Sequence, residues 1–292
     1  MTFTFKKAVR SESKLRLALE GISGSGKTYS ALRLAKGLGG KIAVVDTERG
    51  SASLYSGLPG IPEFDVLELT DSFSPDVYCE AIHAAEEAGY NVIILDSITP
   101  EWTGKNGCLE LVDLLSNGNS MAGWKKVTPM HRKFLDTILN SRAHVIATMR
   151  SKAGVALVDG KVKKVQDKTE QRDGIEFEFT VLLSIDRDSH NAVASKDRTG
   201  LFKDPEVITE ETGKKILSWL SGAATISPEI QAEAEKAAAL GVESIKNFMA
   251  SLKEKNPEQH ALFSDSEKRR LYAIARKADL NTTHQGEYTC RQ

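Results

Sequence analysis

The sequence predicts an α/β fold: a mostly parallel sheet covered on both faces by helices, followed by a small C-terminal helical module. Three observations predict it. Between residues 14 and 150, short apolar runs alternate with segments of helical period. One strand-to-helix junction carries the glycine-rich pattern G-x-x-x-x-G-K-T, from Gly21 to Thr28. Beyond about residue 227 every segment has helical character.

Each element follows from local pattern. Lys14 to Glu20 alternates like a strand, and Thr28 to Leu38 has the period of a helix. Lys41 to Asp46 is apolar and ends in a carboxylate, as a buried parallel strand would. Phe64 to Leu69 is a further strand. Ser74-Pro75 opens a helix, with Ser74 as N-cap, that Gly89 stops. Asn91 to Asp96 is again apolar and again ends in Asp. Residues 101–123 form a long, partly helical excursion, and Thr128-Pro129 starts the next helix. His144 to Thr148 is a strand. Val155 to Val165 forms a hairpin turning at Asp159-Gly160. Ile175 to Ile185 and Asn191 to Ser195 are two strands, and Glu210 to Leu220 is a helix. The boundaries that follow are a main domain at 1–222, a helical module at 227–280 and a flexible tail at 281–292. In the module, helices start at Ser227-Pro228, at Val242 and near Ser264, where Glu267 completes a capping box.

Bulk properties narrow the function classes. Charged residues make up 27% of the 292 and the net charge is −1, which excludes a global polyanion-binding field. Cys79, Cys108 and Cys290 are far apart and form no C-x-x-C pair, which points to a reducing compartment and away from a zinc pair. No signal-peptide pattern or long apolar run is present, so a soluble, cytoplasmic protein without membrane contact is expected.

The chemistry centres on Gly21 to Thr28. Gly21, Ser23, Gly24, Ser25 and Gly26 form a loop whose backbone N–H groups would cradle a phosphate at the start of a helix. Lys27 would reach the β- and γ-phosphates and Thr28 a Mg²⁺ ion. Asp96 is the candidate second metal ligand. Ser97 follows it, so the general base must come from elsewhere. Glu48, two residues past a strand end, is the candidate, with Glu101 as competitor. Thr148 and Arg150 close the strand where a γ-phosphate sensor would sit, and an ordinary strand end is an equal alternative. Lys196 and Arg198 are spaced to share a strand face. They would serve as catalytic cations toward a neighbouring subunit's nucleotide, or else form a solvated pair. Arg150, Lys152, Lys161, Lys163, Lys164, Lys168 and Arg172 outnumber the acids around them and form either a basic patch suited to a nucleic-acid backbone or a merely solvated hairpin.

Together, Gly21–Thr28, Val44–Tyr55 (VVDTERGSASLY), Val92–Ser97 (VIILDS), His144–Lys152 (HVIATMRSK) and Ala194–Phe202 (ASKDRTGLF) resemble the phage-encoded RecA-like P-loop ATPases, including the Sak-type single-strand annealing proteins. The resemblance covers about residues 10–220. It implies a RecA-like core that binds ATP and Mg²⁺ and hydrolyses ATP, with Glu48 in the place of the catalytic glutamate. It also implies that Lys196 and Arg198 act across a subunit interface and that residues 150–174 contact DNA. The implied partners are single-stranded DNA, further copies of the chain with ATP between them, and a single-strand-binding protein. The implied role is annealing or recombination in a phage, in the cytoplasm of its bacterial host. Two other readings compete. One is a P-loop ATPase that regulates or loads a partner protein through the helical module. The other is a small-molecule kinase, for which no arginine-rich lid is visible.

Overall fold

The computed structural model describes residue 5 and residues 13–158, 161–222, 226–263 and 265–289. The chain divides into two compact units, residues 1–221 and 222–292. The first contains β1 (Arg16–Gly21), α1 (Lys27–Leu38), β2 (Ile42–Asp46), β3 (Asp65–Glu68), α2 (Pro75–Glu87), β4 (Val92–Asp96), α3 (Thr99–Thr103) and α4 (Cys108–Leu115). It continues with α5 (Ser120–Asn140), β5 (His144–Val158), β6 (Lys161–Thr169), β7 (Val181–Ile185), β8 (Asn191–Asp197), β9 (Glu206–Val207) and α6 (Glu210–Leu220).

The strands lie in the order β3-β2-β4-β5-β1-β7-β8-β9. From β3 to β7 all pairings are parallel; β8 and β9 add an antiparallel edge. Crossover helices therefore cover both faces, as a parallel sheet requires. Along β1, Leu17 and Leu19 enter one core with α1 and α6, through Leu32, Leu34, Ile216 and Leu220. Ala18 faces the other core with α2 and α5, through Tyr78, Ile82, Phe134 and Ile138. This is the two-residue alternation of a strand buried on both faces.

α1 and α6 touch backbone to backbone. A Cβ on Gly213 would lie 2.2 Å from the carbonyl oxygen of Leu34, so only glycine fits there. Gly213→Ala will therefore force the helices apart and cost about 1–3 kcal/mol, read as a lower urea midpoint.

β5 is the element that differs most from expectation. Its first half lies inside the sheet, between β1 and β4. Its second half leaves the sheet and, among the described residues, pairs only with β6, from Ser151↔Thr169 to Val158↔Lys161. One fifteen-residue strand thus links the middle of the sheet to a two-stranded arm formed with β6. The turn expected at Asp159-Gly160 lies outside the described residues.

Three smaller differences have local causes. α5 begins at Ser120, not near Thr128. Asn119 caps it by accepting from the Met121 N–H (3.0 Å), and Pro129 sits inside the helix because Val127, His131 and Phe134 are already buried on its inner face. Ile175–Phe177 is a 3-10 turn entered through Gly174 at φ 95°, so β7 starts only at Val181. The excursion after β4 resolves into α3 and α4, which pack with α5 around Cys108, Val112 and Val127.

The second unit contains α7 (Pro228–Ala239), α8 (Val242–Lys255), α9 (Pro257–Ala261) and α10 (Asp265–Thr289) around Ala234, Ile245, Phe263, Leu271 and Ala275. α10 runs on to Thr289, well into the stretch expected as a tail. Ser264, the expected cap, lies outside the described residues. Leu271 is buried in this core, while Ile274 on the same helix is exposed at 36%. No helix among the described residues is long and apolar enough to cross a membrane.

Candidate functional site

The site forms at the carboxyl ends of β1, β2, β4 and β5, where a parallel sheet gathers its loops. The loop after β1 turns through Gly24 at φ 81° and Gly26 at φ 91°, a backbone region that other residues rarely enter. Gly26 caps α1 with no side-chain hydrogen bond, and the first turn of α1 carries no acid. Its free N–H groups and helix dipole are left for an outside anion. Ser25 Oγ is fully buried and finds no hydrogen-bond partner among the described residues. Lys27 folds back over the loop, donating to the carbonyls of Gly21 (2.9 Å) and Ile22 (3.1 Å). Burial pulls the Lys27 ammonium below its ordinary pKa; Asp96 and Glu48 push it back up, and Arg150 lowers it again. The same three charged groups thus act on the one lysine.

Asp96 is held by two hydroxyls. Thr28 donates to one of its oxygens (2.6 Å) and Thr148 to the other (2.5 Å). This clasp needs β5 between β1 and β4, because only that order puts Thr148 beside both the loop and Asp96. Burial raises the Asp96 pKa above the usual carboxylate value. The two threonine hydrogen bonds oppose the rise, and the nearby Glu48 and Asp46 add to it. The Asp96–Ser97 peptide is cis. Ser97 is fixed by Thr47, whose hydroxyl accepts from its N–H (2.9 Å), and by Tyr78, which donates to its carbonyl (2.7 Å).

Glu48 sits at the mouth of β2. Asp46 positions it: one carboxylate oxygen accepts from the Glu48 N–H (2.5 Å) and the other from the Ala52 N–H (3.0 Å). The carboxylate of Glu48 is about one-third exposed and pairs with Arg150 at 2.7 and 3.1 Å. Arg150, predicted as part of the basic patch, is therefore placed against the candidate base. Its backbone N–H donates to Thr99 Oγ1 (2.8 Å), which ties the strand to the start of α3. Glu101, the competitor for the base, is fully buried and engaged by Cys108, His131 and Gln171, far too enclosed to meet a water at the loop.

The remaining predicted residues lie elsewhere. Lys152 pairs with Glu170, and Lys168 with Asp173 (3.2 Å). Arg172 lies over the Trp124 ring at 6.0 Å. Lys161, Lys163 and Lys164 are on β6, their side chains outside the described residues. Lys196 and Arg198 are at the far end of the sheet. Asp197 is in register with Val181, and Val181 with Leu17, four residues before Gly21. Roughly 13 Å of strand separates that level from the loop. Lys196 donates to the carbonyls of Glu176 (2.9 Å) and Phe177 (2.6 Å), so in this chain it braces the 3-10 turn. Arg198 is exposed.

Sequence reasoning missed several residues at the site. Tyr55 lies near enough to Asp96 and Glu48 that, after burial, their charges raise its phenol pKa, and its ring meets Tyr29 at 5.9 Å. The turn between β7 and β8 brings His190 Nδ1 to 3.1 Å from the Ser25 carbonyl and the Arg187 guanidinium beside Gly24. The available signal was position: that turn also follows the carboxyl end of a parallel strand.

The loop cradle, the buried Ser25 hydroxyl, Lys27 and the Thr28–Asp96 clasp together define a P-loop nucleotide-binding protein. A family model described as AAA domain matches residues 13–212, and the chain belongs to that family of P-loop ATPases. No curated protein matches the chain.

Proposed function

We propose that the chain binds and hydrolyses ATP with Mg²⁺, and couples the nucleotide state to single-stranded DNA held by the β5–β6 arm, promoting annealing in phage recombination. ATP supplies the β–γ phosphoanhydride and Mg²⁺ the charge that offsets its oxygens. The loop N–H groups and Lys27 hold phosphate oxygens. Thr28 and Asp96 hold the metal. Glu48 orients the attacking water and takes its proton, once the phosphate draws Arg150 away. Lys196 and Arg198, at the opposite end of the strands from their own loop, would serve a second copy of the chain, Arg198 directly and Lys196 by giving up the Glu176 and Phe177 carbonyls it holds in this structure.

One observation carries the DNA reading: the lysine-bearing arm grows from the strand that holds Thr148 and Arg150. Arg150 is the last β5 residue paired with the loop strand, opposite Gly21, and Ser151 is the first paired with β6. The Glu170 N–H closes the junction by donating to the Arg150 carbonyl (2.8 Å). Any shift of Arg150 on nucleotide binding therefore moves the root of the arm.

The test is ATP hydrolysis with and without single-stranded DNA at rising salt, for the wild type and for Lys161, Lys163 and Lys164 replaced together by Ser. The triple variant should keep basal turnover, lose DNA stimulation, and show a binding salt slope shallower by roughly 2. Wild-type turnover that ignores DNA, with no salt-sensitive binding, would instead support a partner-loading ATPase.

A further inference from the structure

We propose that Glu101, Cys108 and His131 form a second metal site, independent of the nucleotide, for a zinc-like divalent ion. The three residues come from α3, the start of α4 and the middle of α5. All three are buried, at 0%, 0% and 2% exposure. One donor atom from each lies within 4.8 Å of the other two. Cys108 Sγ and His131 Nδ1 each approach the same oxygen, Glu101 Oε1, at 3.0 Å. A tetrahedral zinc with ligand bonds of about 2.0–2.3 Å holds its donors roughly 3.3–3.8 Å apart. Opening the two contacts to Glu101 Oε1 by a few tenths of an ångström brings them to that spacing, and the Cys108–His131 edge lies within 4.8 Å. Thiolate, imidazole and carboxylate form a donor set suited to zinc, and three protein ligands leave the fourth position for water.

The cluster also has the outer support of a metal site. Gln171 Nε2 donates to the other Glu101 oxygen (3.1 Å) and to the Ile98 carbonyl (3.1 Å), fixing the carboxylate's direction. The spacing of the cysteines gave no zinc pair, because these ligands meet only when three helices fold together. On binding, Cys108 gives its proton to solvent, the Nδ1 proton of His131 is replaced by one on Nε2, and the ion becomes the link among the helices. That link has something to brace. The segment between β4 and β5 has a small core of its own: Cys108, Val112 and Val127, flanked by Trp102, Leu111, Leu115 and Trp124. Gln171 follows the β5–β6 arm directly, so the same ion would stiffen the arm's return to the body.

Trp102 lies 5.5 Å from the His131 ring and 5.5 Å from Trp124, which makes it a reporter. The test uses the full chain with Cys290→Ser, stripped by chelator and titrated with Co²⁺ without nucleotide. About one Co²⁺ per chain should bind with thiolate-to-cobalt absorption, quench tryptophan emission and raise the melting temperature, and Zn²⁺ should displace it. Cys108→Ser, or His131→Gln if the first variant does not fold, should lose the absorption or the uptake. The nucleotide site contains no cysteine, so cobalt bound there gives no such band. A folded protein without thiolate absorption would overturn the proposal and leave a hydrogen-bonded cluster only. So would a folded Cys108→Ser that keeps the band.

Discussion

Glu48→Gln will lower ATP turnover by about 10²–10⁴-fold while nucleotide still binds. The amide keeps the size and hydrogen-bonding reach of the carboxylate but cannot take a proton from water. The loop that carries residue 48 is fixed by Asp46, which accepts from the backbone N–H groups of Glu48 and Ala52, so the substitution should not move the loop. The partner of Glu48 is equally informative. A half-exposed pair such as Glu48–Arg150 contributes only about 0–1 kcal/mol, little enough for phosphate oxygens to displace. Phosphate release and fluorescent-nucleotide binding, measured side by side, check both halves. If turnover persisted, the base would have to be sought elsewhere than Glu101, whose carboxylate is wholly enclosed.

What the sequence made legible was local. The loop from Gly21 to Thr28, the helix after it and the strands ending at Asp46 and Asp96 all carry their pattern within a dozen residues. What it hid depends on partners distant in the chain. Nothing near Thr148 says that its strand enters between β1 and β4, yet its hydrogen bond to Asp96 follows from that placement. Arg150 looks like one more cation of the basic run, because a sequence shows charge and not direction. Lys196 likewise shows its ammonium but not the two carbonyls that receive it. Pro129 suggested a helix start because proline suits a first turn. Asn119 caps the helix ten residues before that proline, and burial of its inner face carries it through. His131, Cys108 and Glu101 are unremarkable at their spacings and meet only through helix packing.

Asp96→Asn will separate stability from function in opposite directions. In the nucleotide-free chain, burial and the nearby Glu48 and Asp46 raise the Asp96 pKa above its unfolded value. For a carboxylate this sign means that its charged form opposes folding at neutral pH. The opposition fades as pH falls through the raised folded pKa, where Asp96 takes up a proton. Asn removes the charge and keeps contacts for both threonine hydroxyls. The variant should therefore melt higher than the wild type by roughly 2–4 °C at pH 7, about 1 kcal/mol for a domain of this size, and the gap should close on acidification. Loss of a metal-holding carboxylate should meanwhile cut Mg²⁺-dependent turnover by about 10²–10³-fold. It should also abolish the extra melting temperature that ATP with Mg²⁺ gives the wild type. Melts across pH with and without ATP and Mg²⁺ decide it. A variant less stable than the wild type at pH 7 would mean that the Thr28 and Thr148 hydrogen bonds outweigh the burial of charge. Asp96 would then be a structural clasp first and a metal ligand second.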